Sequence, residues 1–122
     1  MLTLSQAKEA VGLAITSLKQ EENANTLKQI VNECNKEENP MIQFQMKMTK
    51  LIPKVTEILG RDIEKVIDNT IEQNQVMGFV GQIQLLAQSD ISLGVEVGKI
   101  LKTLGGDFSG LYEEDEDLEE ID

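Results

Sequence analysis

The chain has 122 residues, which is enough for one ordinary domain, and 40% of them are apolar while only 3% are aromatic. A formal net charge of −11 argues against a basic nucleic-acid-binding surface and against binding to anionic membranes. The absence of histidine removes the commonest general base and metal ligand, so we expect no metal site and no cofactor.

The negative charge is distributed unequally along the chain. Residues 1–106 hold all 11 basic residues and thirteen acidic ones, so this part is nearly neutral. Asp107 and eight of the ten residues 113–122 supply the remaining acids. This composition predicts a folded body over 1–106 and a disordered acidic tail over 107–122.

The cellular compartment is indicated by the amino terminus and by cysteine content. The opening segment MLTLSQAKEA has no charged region followed by an apolar run, so we expect no signal peptide. No stretch approaches the length of about 18 apolar residues that crosses a membrane. The single cysteine, Cys34, cannot form an intrachain disulfide and favours a reducing compartment, the cytoplasm and also the nucleus.

The first predicted helix begins near Thr3 or Ser5, because Thr3 and Gln6 have the spacing of a capping box. Its apolar stripe consists of Ala7, Val11, Ala14, Ile15 and Leu18. The polar run at 21–25 is expected to end this helix. A second, short helix then carries Leu27, Ile30, Val31 and Cys34 on one face.

The third predicted helix follows a loop over 35–40 and is the longest element of the first half. Pro40 suits the first helical position. One wide apolar face is predicted from Met41, Phe44, Met48, Leu51, Ile52, Val55, Ile58 and Leu59. Pro53 is expected to kink the helix, and Gly60 is expected to end it.

The second half of the chain predicts further helices of the same kind. Asp62 is a candidate amino-terminal cap, and the polar run at 72–75 leaves open whether 63–88 is one bent helix or two. Ser89 or Asp90 is expected to cap the last helix, which Gly105 and Gly106 end. Its predicted inward residues are Leu93, Val97, Ile100, Leu101 and Leu104. The predicted fold is all-α, a single small bundle of about five helices over 1–106.

Several short motifs occur in the order that is found in a known eukaryotic family. They are LSQAK at 4–8, ENA at 22–24, CN at 34–35, LIP at 51–53 and GKIL at 98–101. Over roughly residues 3–104 the chain therefore resembles the protein C-ten family. The stretch between Cys34 and Pro53 is about two helical turns longer than the family's pattern, and the acidic tail differs from the small-residue and proline-rich tail of vertebrate members.

The resemblance implies a small, soluble, intracellular, all-helical protein without an established enzymatic activity. Vertebrate members of the family are associated with brain and eye development. The resemblance supplies no catalytic residues to assign to positions of this chain.

Candidate groups for chemistry or binding are few. Asp62, Glu64 and Lys65 form the least implausible carboxylate–lysine cluster for an enzyme, although acids at a helix start also stabilise its dipole. Cys34 is interpreted as a buried residue, because neighbouring glutamates disfavour a thiolate. Met41, Met46, Met48 and Met77 are interpreted as core-filling residues, with an exposed stripe that accepts a partner helix as the alternative. Met41 and Met48 lie seven residues apart on the apolar face, whereas Met46 points elsewhere.

Lys47, Lys50 and Lys54 recur at helical spacing and predict a solvated face. The alternative is that this face docks the chain's own tail or an acidic partner. The segment GFVGQ at 78–82 is interpreted as a helix bend, since it lacks the lysine of a phosphate-binding loop.

The tail ends in LEEID, which is similar to the EEVD ending that carboxylate-clamp helical-repeat domains bind. The candidate partner-binding residues are Leu118, Glu119, Glu120, Ile121 and Asp122. In that hypothesis Asp122 presents two carboxylates to a basic clamp, and Ile121 fills an apolar pocket. The alternatives are a solubilising or autoinhibitory tail and a chaperone-like tail that binds basic proteins.

These observations favour a non-enzymatic protein–protein interaction module, either a helical adaptor or a subunit of a complex. A homodimer is a further hypothesis, in which a second copy packs either on Gly94 and Gly98, four residues apart on the last helix, or on the broad apolar face from Met41 to Leu59. No nucleic-acid or membrane partner is expected.

Overall fold

The computed structural model describes residues 2–112, in which helices form without any β-strand. The helical elements are α1 (Leu4–Lys19), α2 (Glu21–Asn35), α3 (Pro40–Met46), a π-helical turn (Lys47–Leu51), α4 (Ile52–Ile67), α5 (Val76–Ala87) and α6 (Ile91–Leu104), with short 3₁₀ turns at Gln73–Gln75 and Ser109–Tyr112. Because α3, the π turn and α4 run on without a break, the chain has five continuous helical bodies. The predicted all-α class is confirmed.

The start of α1 is as predicted, whereas its end is not. Thr3 accepts a hydrogen bond from the Gln6 backbone amide, and the Gln6 side chain accepts one from the Thr3 amide, which completes the capping box. The predicted break at 21–25 is wrong, because the chain turns at the single extended residue Gln20. Glu21 opens α2 directly, where its charge is favourable at the positive end of the helix dipole.

The predicted boundary at Gly60 and Asp62 is also wrong, because both residues lie inside the continuous helix α4. A β-carbon at Gly60 would lie 3.0 Å from Val76 Cγ2, so the missing side chain allows α5 to approach α4. Asp62 is buried and does not cap a helix. Helix α4 ends instead at Asp68, whose left-handed backbone (φ 54°) stops the helix as Asn or Gly often does.

The π turn changes which side chains face the core. It precedes Pro53, which has no amide hydrogen for the normal helical bond, and in it the Ile52 amide donates to the Lys47 carbonyl five residues earlier. One extra residue in a turn shifts the side-chain direction by about 100°. In an uninterrupted α-helix, Met41, Phe44 and Met48 would continue the buried stripe of α4, but here they do not. The single apolar face predicted from Met41 to Leu59 is therefore wrong.

The region 63–88 contains two separate helices rather than one bent helix. The end of α4 and the start of α5 are joined by a turn in which Glu64 Oε2 accepts a hydrogen bond of 3.0 Å from the Ile71 amide. Asp90 caps α6 by accepting a 2.9 Å hydrogen bond from the Leu93 amide, which confirms one of the two predicted caps. Leu101, which was predicted to face inward, is exposed.

The end of α6 and the residues after it form one structural unit. Gly106, with φ 97°, donates to Thr103 O while Asp107 donates to Lys102 O, the two bonds of a Schellman motif. A 3₁₀ turn then brings Leu111 into the core, where it is 2% exposed. The prediction that disorder begins at 107 is wrong for 107–112, because Phe108 and Leu111 give this segment apolar side chains to bury. The remainder of the predicted tail, 113–122, lies outside the described residues.

The core lies mainly between α1, α4, α5 and α6, with contributions from α2, the π turn and the final 3₁₀ turn, and contains mainly aliphatic side chains. Its fully buried residues include Leu18, Leu27, Leu51, Val55, Val76 and Leu93. Between these helices an apolar cavity of about 20 Å³ is lined by Ala10, Ala14, Leu59, Val80 and Ile100, among others. Within residues 2–112, no helix is both long enough and apolar enough to cross a lipid bilayer.

Candidate functional site

The most unusual surface of the described chain is the apolar side of α3 and the π turn. Helix α3 contains Met41, Ile42 and Phe44, yet none of its residues is buried. Met41 is 74% exposed, Phe44 is 63% exposed and Met48 of the π turn is 49% exposed. We call Met41, Phe44 and Met48, which recur at three and four residues, the α3 face. Exposed apolar side chains grouped in this way are typical of binding surfaces.

Polar contacts, rather than core packing, hold α3 in position. Asn39 caps the helix by accepting a 2.9 Å hydrogen bond from the Met41 amide, and Pro40 occupies the first position. The Gln43 side chain donates to the Glu37 carbonyl at 2.9 Å, which fixes the helix to the preceding loop. Helix α3 otherwise packs mainly on α2 and on the π turn. The α3 face is consequently left open to solvent.

Three lysines follow the α3 face along the chain, in the π turn and the first turn of α4, and we call them the lysine edge: Lys47, Lys50 and Lys54. Lys50 Nζ lies 3.6 Å from Glu33 Oε2, and Lys54 Nζ lies 3.8 Å from Glu57 Oε2. Ion pairs this long and this exposed contribute little to stability. Lys47 forms no ion pair with a carboxylate within residues 2–112. The lysine edge therefore retains positive charge on the segment that directly follows α3.

The carboxyl-terminal end of the described chain lies beside the lysine edge. A β-carbon at Gly106 would lie 3.7 Å from Lys47 Cε and 3.6 Å from Val31 Cγ2. The following residue, Asp107, accepts hydrogen bonds from the Ser109 hydroxyl and amide, and these bonds lower the pKa of its carboxyl group. The positive charge of Lys102 lowers the pKa further. Further along, Tyr112 lies beside Lys28 of α2.

The five predicted partner-binding residues, Leu118, Glu119, Glu120, Ile121 and Asp122, lie outside the described residues. The structure therefore neither brings them together nor separates them. From the sequence, an exposed methionine stripe is only the alternative to core packing, and Phe44 is expected on the apolar face of the helix. For Met41, Met48 and Met77 the core interpretation is wrong, whereas Met46 is half-buried. The signal that could have indicated this was Pro53, because a proline within a helix is commonly preceded by a local change of hydrogen bonding.

The candidate carboxylate–lysine cluster is not arranged as a joint site. Asp62 is 2% exposed and faces the interior, whereas the Lys65 side chain is 70% exposed and lies 3.7 Å from it. Glu64 supports the turn after α4 through its bond to Ile71. Asp62 Oδ2 has no hydrogen-bond partner within the described chain, and an orphaned buried oxygen of this type costs about 1–3 kcal/mol.

The remaining candidates, Cys34 and residues 78–82, belong to the core and to a helix. Cys34 is completely buried, in agreement with its interpretation as a core residue. Residues 78–82, which were interpreted as a helix bend, belong to α5. Among residues 2–112 no group of His, Cys, Asp or Glu side chains could hold a metal ion. Outside the α3 face, Met77, Leu85 and Ile91 are exposed apolar side chains on α5 and α6.

Comparisons with known proteins found no matching family model, no matching curated protein and no matching solved structure.

Proposed function

We propose that this protein is a non-enzymatic protein–protein interaction module, either an adaptor or a subunit of a complex, and that the α3 face is its partner-binding surface. The observation that supports this proposal is the exposure of Met41 and Phe44 on α3, a helix that has no buried residue, together with the exposure of Met48 in the π turn. Phenylalanine and methionine are enriched in the buried centres of protein interfaces. An exposed amphipathic helix presents such side chains at the spacing that a partner groove or helix binds.

The test of this proposal is selective loss of a partner. The full chain and the double variant Phe44→Ser/Met48→Gln are each used to isolate bound proteins from cells. A matched control, Met77→Gln/Leu85→Ser, removes exposed apolar side chains that are 50% and 65% accessible on α5. We expect a partner that binds the wild type and the control but not the α3 variant. Equal binding to all three chains would contradict the assignment of the α3 face.

A second binding role is proposed for the tail, on the basis of its sequence alone. Leu118, Glu119, Glu120, Ile121 and Asp122 resemble the ending that a carboxylate-clamp helical-repeat domain binds. A peptide of residues 111–122 is compared with the same peptide carrying a carboxyl-terminal amide. Micromolar binding that is lost on amidation supports a clamp. Equal, salt-sensitive binding of both peptides to basic proteins supports the chaperone-like alternative, and absence of binding contradicts both hypotheses.

We also propose membership of the protein C-ten family, from the order of the LSQAK, ENA, CN, LIP and GKIL motifs. An alignment of related sequences tests this proposal. We expect the motifs to align with those of the family in the same order, and a different order would contradict membership. A role in the cytoplasm or nucleus follows from the same hypothesis and is tested by imaging the tagged chain. Homodimer formation, for which Gly94 and Gly98 offer a close approach, is tested by sedimentation at several concentrations.

A further inference from the structure

We propose that residues 113–122 bind to the α3 face and lysine edge of their own molecule and thereby compete with a partner for that surface. This inference rests on the proposed function, since the surface that is covered is the proposed partner-binding surface. Its basis is a match of charge and of apolar spacing between the two segments, together with the position of the chain where the described part ends.

The two segments are complementary in charge. Eight of the ten residues 113–122 are acidic, whereas the lysine edge has Lys47 without an ion pair in the described chain and two further lysines in long, exposed pairs. A polyanion can replace Glu33 and Glu57 as the partner of Lys50 and Lys54 at little energetic cost, because exposed pairs of this length contribute about 0–1 kcal/mol.

Their apolar side chains are also spaced compatibly. Leu118 and Ile121 are the only apolar residues in 113–122, and they lie three positions apart. Met41 and Phe44 are likewise three positions apart on the α3 face. Leu118 and Ile121 therefore match the spacing of two apolar side chains of the α3 face, and the acidic residues before them are available to the lysine edge, of which Lys47 lies beside Gly106.

The chain is long enough to make this contact within one molecule. Gly106 lies directly beside Lys47. Tyr112 follows six residues later, so it lies at most about 20 Å from Gly106. The ten residues 113–122 span up to about 35 Å when extended. Covalent connection at this distance gives an effective concentration in the millimolar range, which favours even a weak contact.

A positively charged side chain also lies between Tyr112, where the described chain ends, and the lysine edge. Lys28 lies beside Tyr112, and Val31, three residues later on the same face of α2, contacts Gly106 next to Lys47. Lys28 and Lys47 therefore lie on one continuous side of the molecule. Glu37 and Glu38 precede α3 and repel an acidic segment. The tail is thus expected to contact the Met48 end of the α3 face rather than its start.

The experiment places a spin label in the tail of the full chain through Asp117→Cys and records amide signals by NMR. Because Cys34 is fully buried, the label attaches at position 117 alone in the native protein. We expect loss of signal intensity for amides of 41–50 at low ionic strength, and recovery at high ionic strength, where attraction between exposed charges is screened. Unchanged amide intensities over 41–50 at low ionic strength would overturn the proposal.

Two matched variants identify the surface. Lys47→Gln/Lys50→Gln keeps apolar stems but removes two charges of the lysine edge. Arg61→Gln/Lys65→Gln removes two exposed charges about 20 Å further along the same helix. Loss of the effect in the first variant and its retention in the second support the assignment. Equal loss in both would indicate attraction to net charge alone and would overturn it.

Mixing isotope-labelled chains that lack the spin label with spin-labelled chains that lack the isotope distinguishes the source of the tail. Loss of intensity in this mixture would place the tail of a second copy on the surface and overturn the intramolecular assignment. Failure here is separable from failure of the proposed function. If the tail does not contact the α3 face but Phe44→Ser/Met48→Gln still loses a partner, only the present inference fails.

Discussion

Helix α1 and helix α3 are both amphipathic, yet the first supplies the core and the second supplies the surface. In α1, Ala7, Val11 and Leu18 are buried, and the helix packs mainly on α4 and α6. In α3, Met41 and Phe44 are exposed, and only α2 and the π turn provide substantial packing. The difference shows that an apolar stripe on a helix predicts a contact surface. It does not distinguish a contact with the protein's own core from a contact with a partner.

The largest expected effect comes from truncating one large side chain in each of the two helices. Leu18→Ala removes a side chain that is 0% exposed, and we expect the free energy of unfolding to fall by about 2–5 kcal/mol. Phe44→Ala removes a side chain that is 63% exposed, and we expect a change within about 0.5 kcal/mol. Urea denaturation of both variants measures the difference. Similar losses would mean that α3 is packed in solution.

A second test concerns the segment 107–112, which was predicted as tail but lies against the body. Leu111 is 2% exposed and packs near Leu18, Ala24 and Leu27. We expect Leu111→Ala to lower the free energy of unfolding by about 2 kcal/mol, the low end of the range for such truncations, because the segment lies close to the end of the described chain. Tyr112→Ala, at a side chain 51% exposed, is the control. A small decrease in the free energy of unfolding for Leu111→Ala would mean that residues 107–112 do not pack stably on the helical body.

Two glycines sharpen the comparison between tight and open packing. At Gly60 a β-carbon would meet Val76 Cγ2 at 3.0 Å, and this buried β-branched side chain has little freedom to move. We expect Gly60→Ala to lower stability by about 1 kcal/mol, since overpacking exceeds the gain in helix propensity. Gly12→Ala in α1 meets no atom within 4 Å, so we expect a gain of about 0.5–1 kcal/mol. Thermal melting of both variants should show shifts of opposite sign.

The smallest expected effect is a pH dependence at the start of α6. The hydrogen bond from the Leu93 amide, followed by those from Lys8 and Ser92, lowers the pKa of Asp90 from 3.8 to about 2. A carboxyl group with a lowered folded-state pKa adds stability above pH 3.8, and this stability is lost as pH falls through about 2.

Asp90→Asn keeps the amino-terminal cap but removes the charge. We expect wild type to be more stable than this variant at neutral pH and the difference to disappear near pH 2, as measured by denaturation at several pH values. A difference that is independent of pH would contradict the role of the charge.

Much of the fold could be predicted from local patterns. The Thr3–Gln6 capping box, Pro40 and the Gly105–Gly106 end are short-range signals that depend on a few adjacent residues, and the structure confirms them. The predicted role of Gly60 is wrong because a glycine can either end a helix or let a neighbouring helix pack closely. Local sequence does not distinguish these two roles. Only the position of Val76 in the fold distinguishes the two cases.

The candidate surface could be predicted only in part. The apolar residues of α3 and the spacing of Lys47, Lys50 and Lys54 are visible in the sequence, but their direction depends on hydrogen bonds in the π turn. The burial of Asp62 was likewise hidden, because an aspartate near a glycine suggests a helix start. The proximity of Gly106 to Lys47 is a long-range contact, for which local sequence contains no signal.

The π turn has a consequence for how this surface could arise and be lost. A π turn is equivalent to one residue inserted into an α-helix. Insertion or deletion of a single codon within 47–51 would therefore rotate everything before it, including Phe44, while α4 and its buried residues stay in place. Helix α3 could thus gain or lose an exposed apolar face in one genetic event, without any substitution in the core. Natural variation in the number of residues at 47–51 would therefore change the surface and leave the core unchanged.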